Sequence, residues 1–342
     1  MKSSFPPIIA IDAGRSATKV AYTCGTESGD FIFPSVVTKA RLLSNEQTAL
    51  NAEKDTVKVD GEEYFVGQTA IEQTAGASFV GLNDDWTNQT EYKALVASAM
   101  RRVEQRGVKF TAEPLIVVGA PSNVFTAQRK AIAERTQQAV GKFEVMVLPQ
   151  AGGAYYSYVF DQEGNIRIDQ MFENGPASAL RNYAVVEVGH FSTDYILFLN
   201  SNVNESTFQS TSGVFEAYGE LDKLLKEARI KTNASVLNDA FIKGSISYYG
   251  KPMDVKDKVK MALQPFVDKV RNKTQSLYSD YEQSLSGILI GGGGAPLVTP
   301  DLQRLYPHAH MLENPRMAVA YGFLAFAKAR VKNREARKLR AA

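Results

Sequence analysis

One pattern occurs twice in the chain and constrains its fold more than any other feature. Ile8-Ile9-Ala10-Ile11 leads into Asp12, the chain turns through Gly14, Arg15 and Ser16, and Ala17-Thr18-Lys19-Val20-Ala21-Tyr22 resumes the extended form. About half the chain later, Tyr183-Ala184-Val185-Val186 leads into Glu187. The chain turns again through Gly189, His190 and Phe191, and Ser192-Thr193-Asp194-Tyr195-Ile196-Leu197-Phe198 returns. Each stretch reads as a β-hairpin in which glycine allows the tight turn. The first tip suits a phosphate chain and its Mg²⁺: the hydroxyls of Ser16 and Thr18 donate to phosphate oxygens, Lys19 neutralises them, and Asp12 holds metal-bound water. A lone Asp-Ala-Gly hairpin would be only a turn. The recurrence predicts two related domains that face each other, each offering one turn and one carboxylate to a shared Mg²⁺.

Between and after the hairpins, continuous apolar strands alternate with helical periods, the mark of a sheet covered on both faces. Phe31-Ile32-Phe33-Pro34-Ser35-Val36-Val37 reads as a strand broken by proline, either a third strand or an edge. Asp60-Gly61 between Thr56-Val57-Lys58-Val59 and Tyr64-Phe65-Val66 signals a second kind of hairpin, inside a small inserted subdomain over about 38–85. Helices are expected from Asn88 to Arg106, from Thr126 to Val140, from Glu216 to Ala228 and from Val255 to Tyr281, and a second insertion over about 218–254. The strand Val145-Met146-Val147-Leu148 stops at Pro149, so Gln150 stands at the mouth of a strand-to-helix turn. It is either an ordinary first-turn polar residue or one that orients a water in a cleft. Ile288-Leu289-Ile290 runs into Gly291, Gly292, Gly293 and Gly294. Side chains are absent there, as where an adenosine or its phosphate approaches the backbone closely. This is not a dinucleotide fingerprint, which belongs beside the first strand of a βαβ unit.

The 342 residues suffice for two domains, and the 44% hydrophobic and 22% charged content is that of a folded globular chain. A formal charge of +2 argues against a surface that coats nucleic acid broadly. The single cysteine, Cys24, forms no internal disulfide and no cysteine metal site, which points to a reducing cytoplasm. No signal peptide is recognisable near Met1–Pro7, and no run of 18 apolar residues exists to span a membrane.

The order of hairpin Asp-x-Gly…Lys, strand-Pro-Gln-Ala, hairpin Glu-x-Gly…Thr-Asp and strand-Gly-Gly-Gly resembles the actin-like ATPase superfamily over nearly the whole chain. It is most similar to the ParM/StbA plasmid-segregation actins. The resemblance implies an α/β fold of two RNase H-like domains, 1–160 and 161–342, with mixed sheets and a nucleotide cleft between them. Asp12, Gly14, Arg15, Ser16, Thr18 and Lys19 would form the first phosphate loop. Gly189, His190, Ser192, Thr193 and Asp194, with Glu187, would form the second. Gly291 to Gly294 would be the adenosine segment, and Gly213 would approach the nucleotide. Gln150 would assist hydrolysis together with Asp12 and Glu187, the two that hold Mg²⁺ through water. Two positions depart from the family pattern. Glu187 is one methylene longer than the usual aspartate, and His190 replaces a small residue, so that it either meets the γ-phosphate or points out of the cleft.

The resemblance further implies an ATPase, with ATP or GTP and Mg²⁺ as cofactors, that polymerises when ATP bridges the domains and disassembles after hydrolysis. The implied partners are further copies of the chain and a DNA-bound adaptor, with no sequence-specific DNA contact and no membrane, and the implied location is the cytoplasm. A small-molecule kinase of the same superfamily is the competing enzyme, although no distinct acidic base stands between the loops. A PilM-like scaffold that is gated by nucleotide without polymerising is the other alternative. A closing helix over 315–330 is expected to return to the hinge, with Ala318, Ala320 and Gly322 packing closely on Gly152-Gly153-Ala154. The basic tail, 328–342, is either a solvated helix or a tether to DNA or to a filament neighbour, and it lacks the apolar stripe of a membrane anchor.

Overall fold

The computed structural model describes residues 6–74, 86–110 and 112–341. The first half opens with a meander, β1 (Ile8–Ala13), β2 (Ala17–Cys24) and β3 (Glu27–Pro34). An insertion follows, made of β4 (Val37–Lys39), α1 (Glu46–Glu53), β5 (Thr56–Val59), β6 (Glu62–Val66) and α2 (Gln68–Gln73). The expected insertion ran to about residue 85, and its last stretch lies outside the described residues. Asp60 and Gly61 both take positive φ, 54° and 85°, the geometry a two-residue hairpin between β5 and β6 needs. Then come α3 (Thr90–Glu104), β7 (Leu115–Ala120), α4 (Phe125–Val140), β8 (Glu144–Pro149), α5 (Gln150–Val159) and the short α6 (Ile168–Met171).

The second half repeats the plan. Its meander is β9 (Tyr183–Val188), β10 (Ser192–Leu199) and β11 (Asn202–Ser212). After it come α7 (Phe215–Glu227), α8 (Ala234–Lys243), the hairpin β12 (Ser245–Tyr248) and β13 (Lys251–Asp254), and α9 (Lys256–Tyr278). The chain closes with β14 (Gly287–Gly291), α10 (Ala295–Leu305), β15 (Ala309–Met311) and α11 (Ala318–Ala341). The sheet orders are β3-β2-β1-β7-β8 and β11-β10-β9-β14-β15, so each sheet is an antiparallel meander extended by two parallel strands. The architecture is the expected actin-like α/β fold. β3 is an edge, as its proline requires. The long polar β11 has no apolar alternation and was not foreseen.

The apolar strands are buried on both sides, and the helices that bury them differ on the two faces. Tyr92, Leu95, Val96 and Ala99 of α3 and Ile132 of α4 cover Ile9, Ile11, Val20 and Ile116 on the outer face of the first sheet. Phe266 and Val270 of α9 and Val298 and Leu302 of α10 cover Val186, Leu197 and Ile290 on the outer face of the second. The inner faces meet α5 and α11. Ala154, Tyr155 and Val159 pack on Val185, Ile196, Phe198 and Leu289, and the Tyr155 and Phe198 rings stack at 3.8 Å. Val319, Phe323, Ala327 and Val331 pack on Ile8, Ala10, Leu115 and Val117. Thus α11, although last in the chain, packs on the first sheet. The closing helix begins at Ala318, not at Pro315, and continues through the tail as one element.

α5 and α11 touch backbone to backbone. A Cβ on Gly322 would lie 1.8 Å from the Gly153 carbonyl oxygen, and one on Gly153 would lie 2.7 Å from that of Val319. No side chain fits between the helices at this crossing. Gly322→Ala is therefore expected to cost at least about 3 kcal/mol, the upper range for overpacking, and to lower the thermal midpoint by circular dichroism. Gly219→Ala, mid-helix in α7 with open space around its Cα, is expected to leave the midpoint unchanged or raise it by the equivalent of about 0.5–1 kcal/mol.

Candidate functional site

The two acidic hairpins correspond at their tips residue by residue. Asp12 pairs across its ladder with Lys19, and Glu187 with Asp194; Ala13 pairs with Thr18, and Val188 with Thr193. A Cβ on Gly14 would meet the Ala17 carbonyl oxygen at 2.9 Å, and one on Gly189 would meet that of Ser192 at 2.8 Å. Both turns thus close so tightly that only glycine fits. One exchange breaks the symmetry: the position that holds an ammonium in the first hairpin, Lys19, holds a carboxyl in the second, Asp194.

Both tips line one cavity. Gly14, Arg15, Ser16, Lys19 and Gln150 face Glu187, Gly189, His190 and Ser192 across it. Lys19 Nζ donates to Asp12 Oδ2 at 2.9 Å, and Gln150 Nε2 donates to Asp12 Oδ1 at 2.9 Å. Burial opposes the charge on Lys19, but Asp12 and Glu187 together overcome it and hold the ammonium above its ordinary pKa. One cation therefore reaches the acid of each hairpin. Burial lifts Glu187 to about 8, with Lys19 pulling it down and Asp12 and Asp194 pushing it up. Burial also lifts Asp194 to about 6, against the Ser192 and Ser210 hydroxyls and the charge of Arg15. Arg15 lies 5.7 Å from the centre of the Phe191 ring, one tip laid over the other.

Several expected roles change. Thr18 and Thr193 do not line the cavity. In a strand, neighbours point to opposite faces, so with Lys19 turned to the cleft Thr18 is turned away, where its hydroxyl meets Ser35 Oγ at 2.9 Å. Thr193 is equally buried and donates to the Ser212 carbonyl at 3.2 Å. Ser35 Oγ in turn donates to the Gly14 carbonyl at 2.6 Å, so this pair of hydroxyls holds the first turn from behind. Ser192 reaches the cavity, but its hydroxyl proton goes to Asp194 Oδ2 at 3.0 Å, leaving lone pairs toward the cavity. Asp194 itself is buried behind Ser192.

Gly213 is a support. A Cβ there would sit 2.6 Å from the carbonyl oxygens of both Gly189 and His190. Its N–H donates to the Phe191 carbonyl, and the next two donate to Gly189 and His190. The start of α7 thus caps the second hairpin. The glycine run is likewise shaped by the chain itself: a Cβ on Gly292 (φ +85°) would lie 2.3 Å from the Val188 carbonyl oxygen, and one on Gly294 2.6 Å from Val188 Cγ1 and Val214 Cγ2. Gly291 adjoins Ala154 and Glu187, and Gly293 alone has room, with Arg316 nearest at 3.8 Å. His190 packs edge-on against Phe191, Phe215 and Tyr218 while lining the cavity, and burial lowers its pKa, favouring the neutral ring.

Some residues at the site carry no motif. Trp86, Pro121, Asn123 and Val124 complete the wall from the first half, and Phe191 and Ser210 from the second. The signal for Pro121 to Val124 was their place after β7, since open α/β sheets bind ligands beyond the carboxyl ends of their strands. This segment also joins the halves: Phe125 meets Phe208 edge-on at 6.2 Å, and Thr126 donates to Glu205. Ser210 lies on β11, which the sequence did not reveal.

Because the folded-state pKa of Glu187 exceeds its ordinary 4.5, the native protein keeps a proton that the unfolded chain releases. Stability of the ligand-free protein therefore falls as pH rises from about 4.5 to about 8 and then levels. Asp194 and His190 titrate toward the acid end of this range, and comparison with Glu187→Gln subtracts their contribution. Between pH 6.5 and 8 the protein is expected to lose about 2 kcal/mol by urea denaturation, and Glu187→Gln to lose almost none.

Comparison with known proteins agrees with this geometry. A family model described as the N-terminal domain of actin-like proteins matches residues 10–153, and one described as the C-terminal domain of the archaeal actin homologue MreB-like proteins matches residues 185–304. The fold is similar to a ParM filament of 15 strands from Clostridium botulinum, with a TM-score of 0.76 at 22% identity over 94% of this chain and 99% of that one. It is similar to a non-polymerisable quadruple mutant of pCBH ParM, with a TM-score of 0.73 at 23% identity over 95% and 99%. It is also similar to the archaeal actin homologue Ta0583 in complex with ADP, with a TM-score of 0.69 at 15% identity over 94% and 99%. A search of curated proteins by sequence finds no match. With actin-like models matched in order to its two halves, each built on the same meander and acidic turn, the chain belongs to the actin-like superfamily.

Proposed function

We propose that this protein is an actin-like ATPase that assembles into filaments when ATP and Mg²⁺ fill the cleft and disassembles after hydrolysis, serving plasmid DNA segregation in the cytoplasm. The observation that carries the reading is Lys19 in the cavity wall, ion-paired to Asp12 of one hairpin and with its charge acting on Glu187 of the other. A triphosphate suits that arrangement, because Arg15, Lys19 and the Ser16 hydroxyl supply charge and a donor from one side and the Gly189 turn closes the other. Among the described residues no group of three or more His, Cys, Asp or Glu is placed to hold a metal alone. That fits Mg²⁺ bound through water and phosphate oxygens, with Asp12 and Glu187 holding the waters. Mg²⁺, when bound, would neutralise phosphate charge. The filament structures among the neighbours support self-assembly. The segregation role and a DNA-bound adaptor rest on the resemblance to the ParM branch, and ATP is preferred to GTP on the same ground.

Gln150 is the residue set to orient the attacking water. Asp12 takes its Nε2, which leaves Oε1 as an acceptor toward the cavity. Ser192, its proton held by Asp194, offers a second acceptor. Two acceptors on opposite walls can fix a water that carries no charge. The raised Glu187 value favours one other reading, a scaffold that binds nucleotide without turning it over, because a protonated Glu187 holds a metal-bound water poorly.

Adding ATP with Mg²⁺ is expected to send the protein to the pellet in ultracentrifugation, and Asp12→Ala to keep it in the supernatant; pelleting that ignores nucleotide would overturn the reading. Gln150→Ala is expected to pellet normally but to release phosphate about 10- to 100-fold more slowly. An unchanged rate removes Gln150 from its role, and no phosphate release from the unaltered protein selects the scaffold.

A further inference from the structure

The end of α11 has no part in the cleft. Val331 is its last residue in the core, where it packs with Ile8, Leu115 and Ala327. Beyond it the helix continues to Ala341 with no buried residue among those described. Three cations tie its base to the first half. Lys328 Nζ donates to the Gln162 carbonyl at 2.8 Å, Lys332 Nζ to Asn165 Oδ1 at 2.7 Å, and Arg334 to Glu144 at 3.1 Å. Arg330, Arg337, Lys338 and Arg340 are exposed and make no ion pair among the described residues; the acids nearby are held at the base of the helix, Glu163 by Lys328 and Glu144 by Arg334, and Glu335 lies on the helix itself.

These cations follow helical spacing. Arg330, Arg334, Arg337 and Lys338 stand at i, i+4, i+7 and i+8, which places them on one face about one turn apart. Like charges at that spacing disfavour a helix by a few tenths of a kcal/mol per pair. The stripe is also at odds with the chain as a whole: with a net charge of only +2, so basic an end leaves the remainder net acidic. Glu144 opens β8, whereas Gln150 follows its other end, so the stripe lies at the opposite end of the first sheet from the cleft. An occupant there leaves the cleft open.

We infer that this stripe binds the sugar-phosphate backbone of duplex nucleic acid without reading its sequence. A row of guanidinium and ammonium groups in which Arg334 alone has an acid partner matches a row of phosphates, and those phosphates remove the repulsion within the helix. A lipid surface is the poorer fit, because Leu339 is the only large apolar side chain exposed on this stretch and an interfacial helix needs an apolar face. No base-reading contact is implied, since arginines aimed along one stripe neutralise phosphates and fix no register.

The test is fluorescence anisotropy of a labelled DNA duplex titrated with the full chain, without nucleotide, over a range of KCl concentrations. The expected result is binding that weakens with salt at a log–log slope of about −3 to −4, from four phosphate contacts, alike for unrelated sequences. The quadruple variant Arg330→Gln, Arg337→Gln, Lys338→Gln, Arg340→Gln is expected to lose about a hundredfold or more in affinity near 0.15 M salt. Its thermal midpoint should stay put, since none of the four side chains is buried. Equal binding by the variant, or no binding by the parent, overturns the inference. So does binding of the parent to anionic phosphatidylserine vesicles in preference to the duplex, or self-association of the parent in sedimentation that the variant abolishes.

Discussion

Burying carboxyls and an ammonium between two halves of a chain is costly unless they meet, and here they meet at Lys19. Asp12 is ion-paired to it, Glu187 feels its charge, and Gln150 secures the other oxygen of Asp12. Three buried acids, Asp12, Glu187 and Asp194, thus lie near the half-buried Lys19, with Arg15 acting on Asp194. Burial disfavours their charged forms, which is why Glu187 and Asp194 keep their protons above the ordinary carboxylate range, and at Glu187 the charges of Asp12 and Asp194 add to the effect. A divalent cation with phosphate ligands would change that balance, and would so couple occupation of the cleft to the protonation of the protein.

The surrounding structure presents these groups without strain. The two hairpin turns are tight because Gly14 and Gly189 leave no room for a side chain, and each is braced from behind. Thr18 and Ser35 hold the first turn, and the first N–H groups of α7 hold the second. Between the sheets, α5 and α11 make the backbone contact at Gly153 and Gly322. α5 also carries Gln150 at its first residue. Any rotation of one sheet against the other at this crossing therefore moves Gln150 relative to the second hairpin. That is the kind of lever by which loss of a phosphate from the cleft would change the shape of the molecule.

Much of this was legible in the residues. Continuous apolar runs ending in an acid and a glycine gave both hairpins and their pairing into equivalent halves, because such runs are buried on both faces. The helices over 90–104, 125–140 and 256–278 agree with their apolar periods to within a few residues. Gly322 against Gly153 was readable from small residues at helical spacing. What failed was the assumption that a hydroxyl near a phosphate turn must face phosphate. Thr18 and Thr193 are turned away by strand alternation, and Ser192 spends its proton on Asp194. The glycine run was rightly read as a close approach, but at Gly292 and Gly294 the approaching group is Val188 of the same chain.

By itself the sequence determined the elements, their duplication and the chemical character of the tips, since local patterning and turn chemistry act over a few residues. Only the tertiary structure decided which of those groups share a space. Lys19 serving acids from both halves, Asp194 standing where the first hairpin has its lysine, the Pro121–Val124 wall and the polar β11 all follow from how two sheets are set against α5 and α11. The reason is physical. Burial, and with it the dielectric that sets each charge, is a property of the assembled surfaces, and no single stretch of chain carries it.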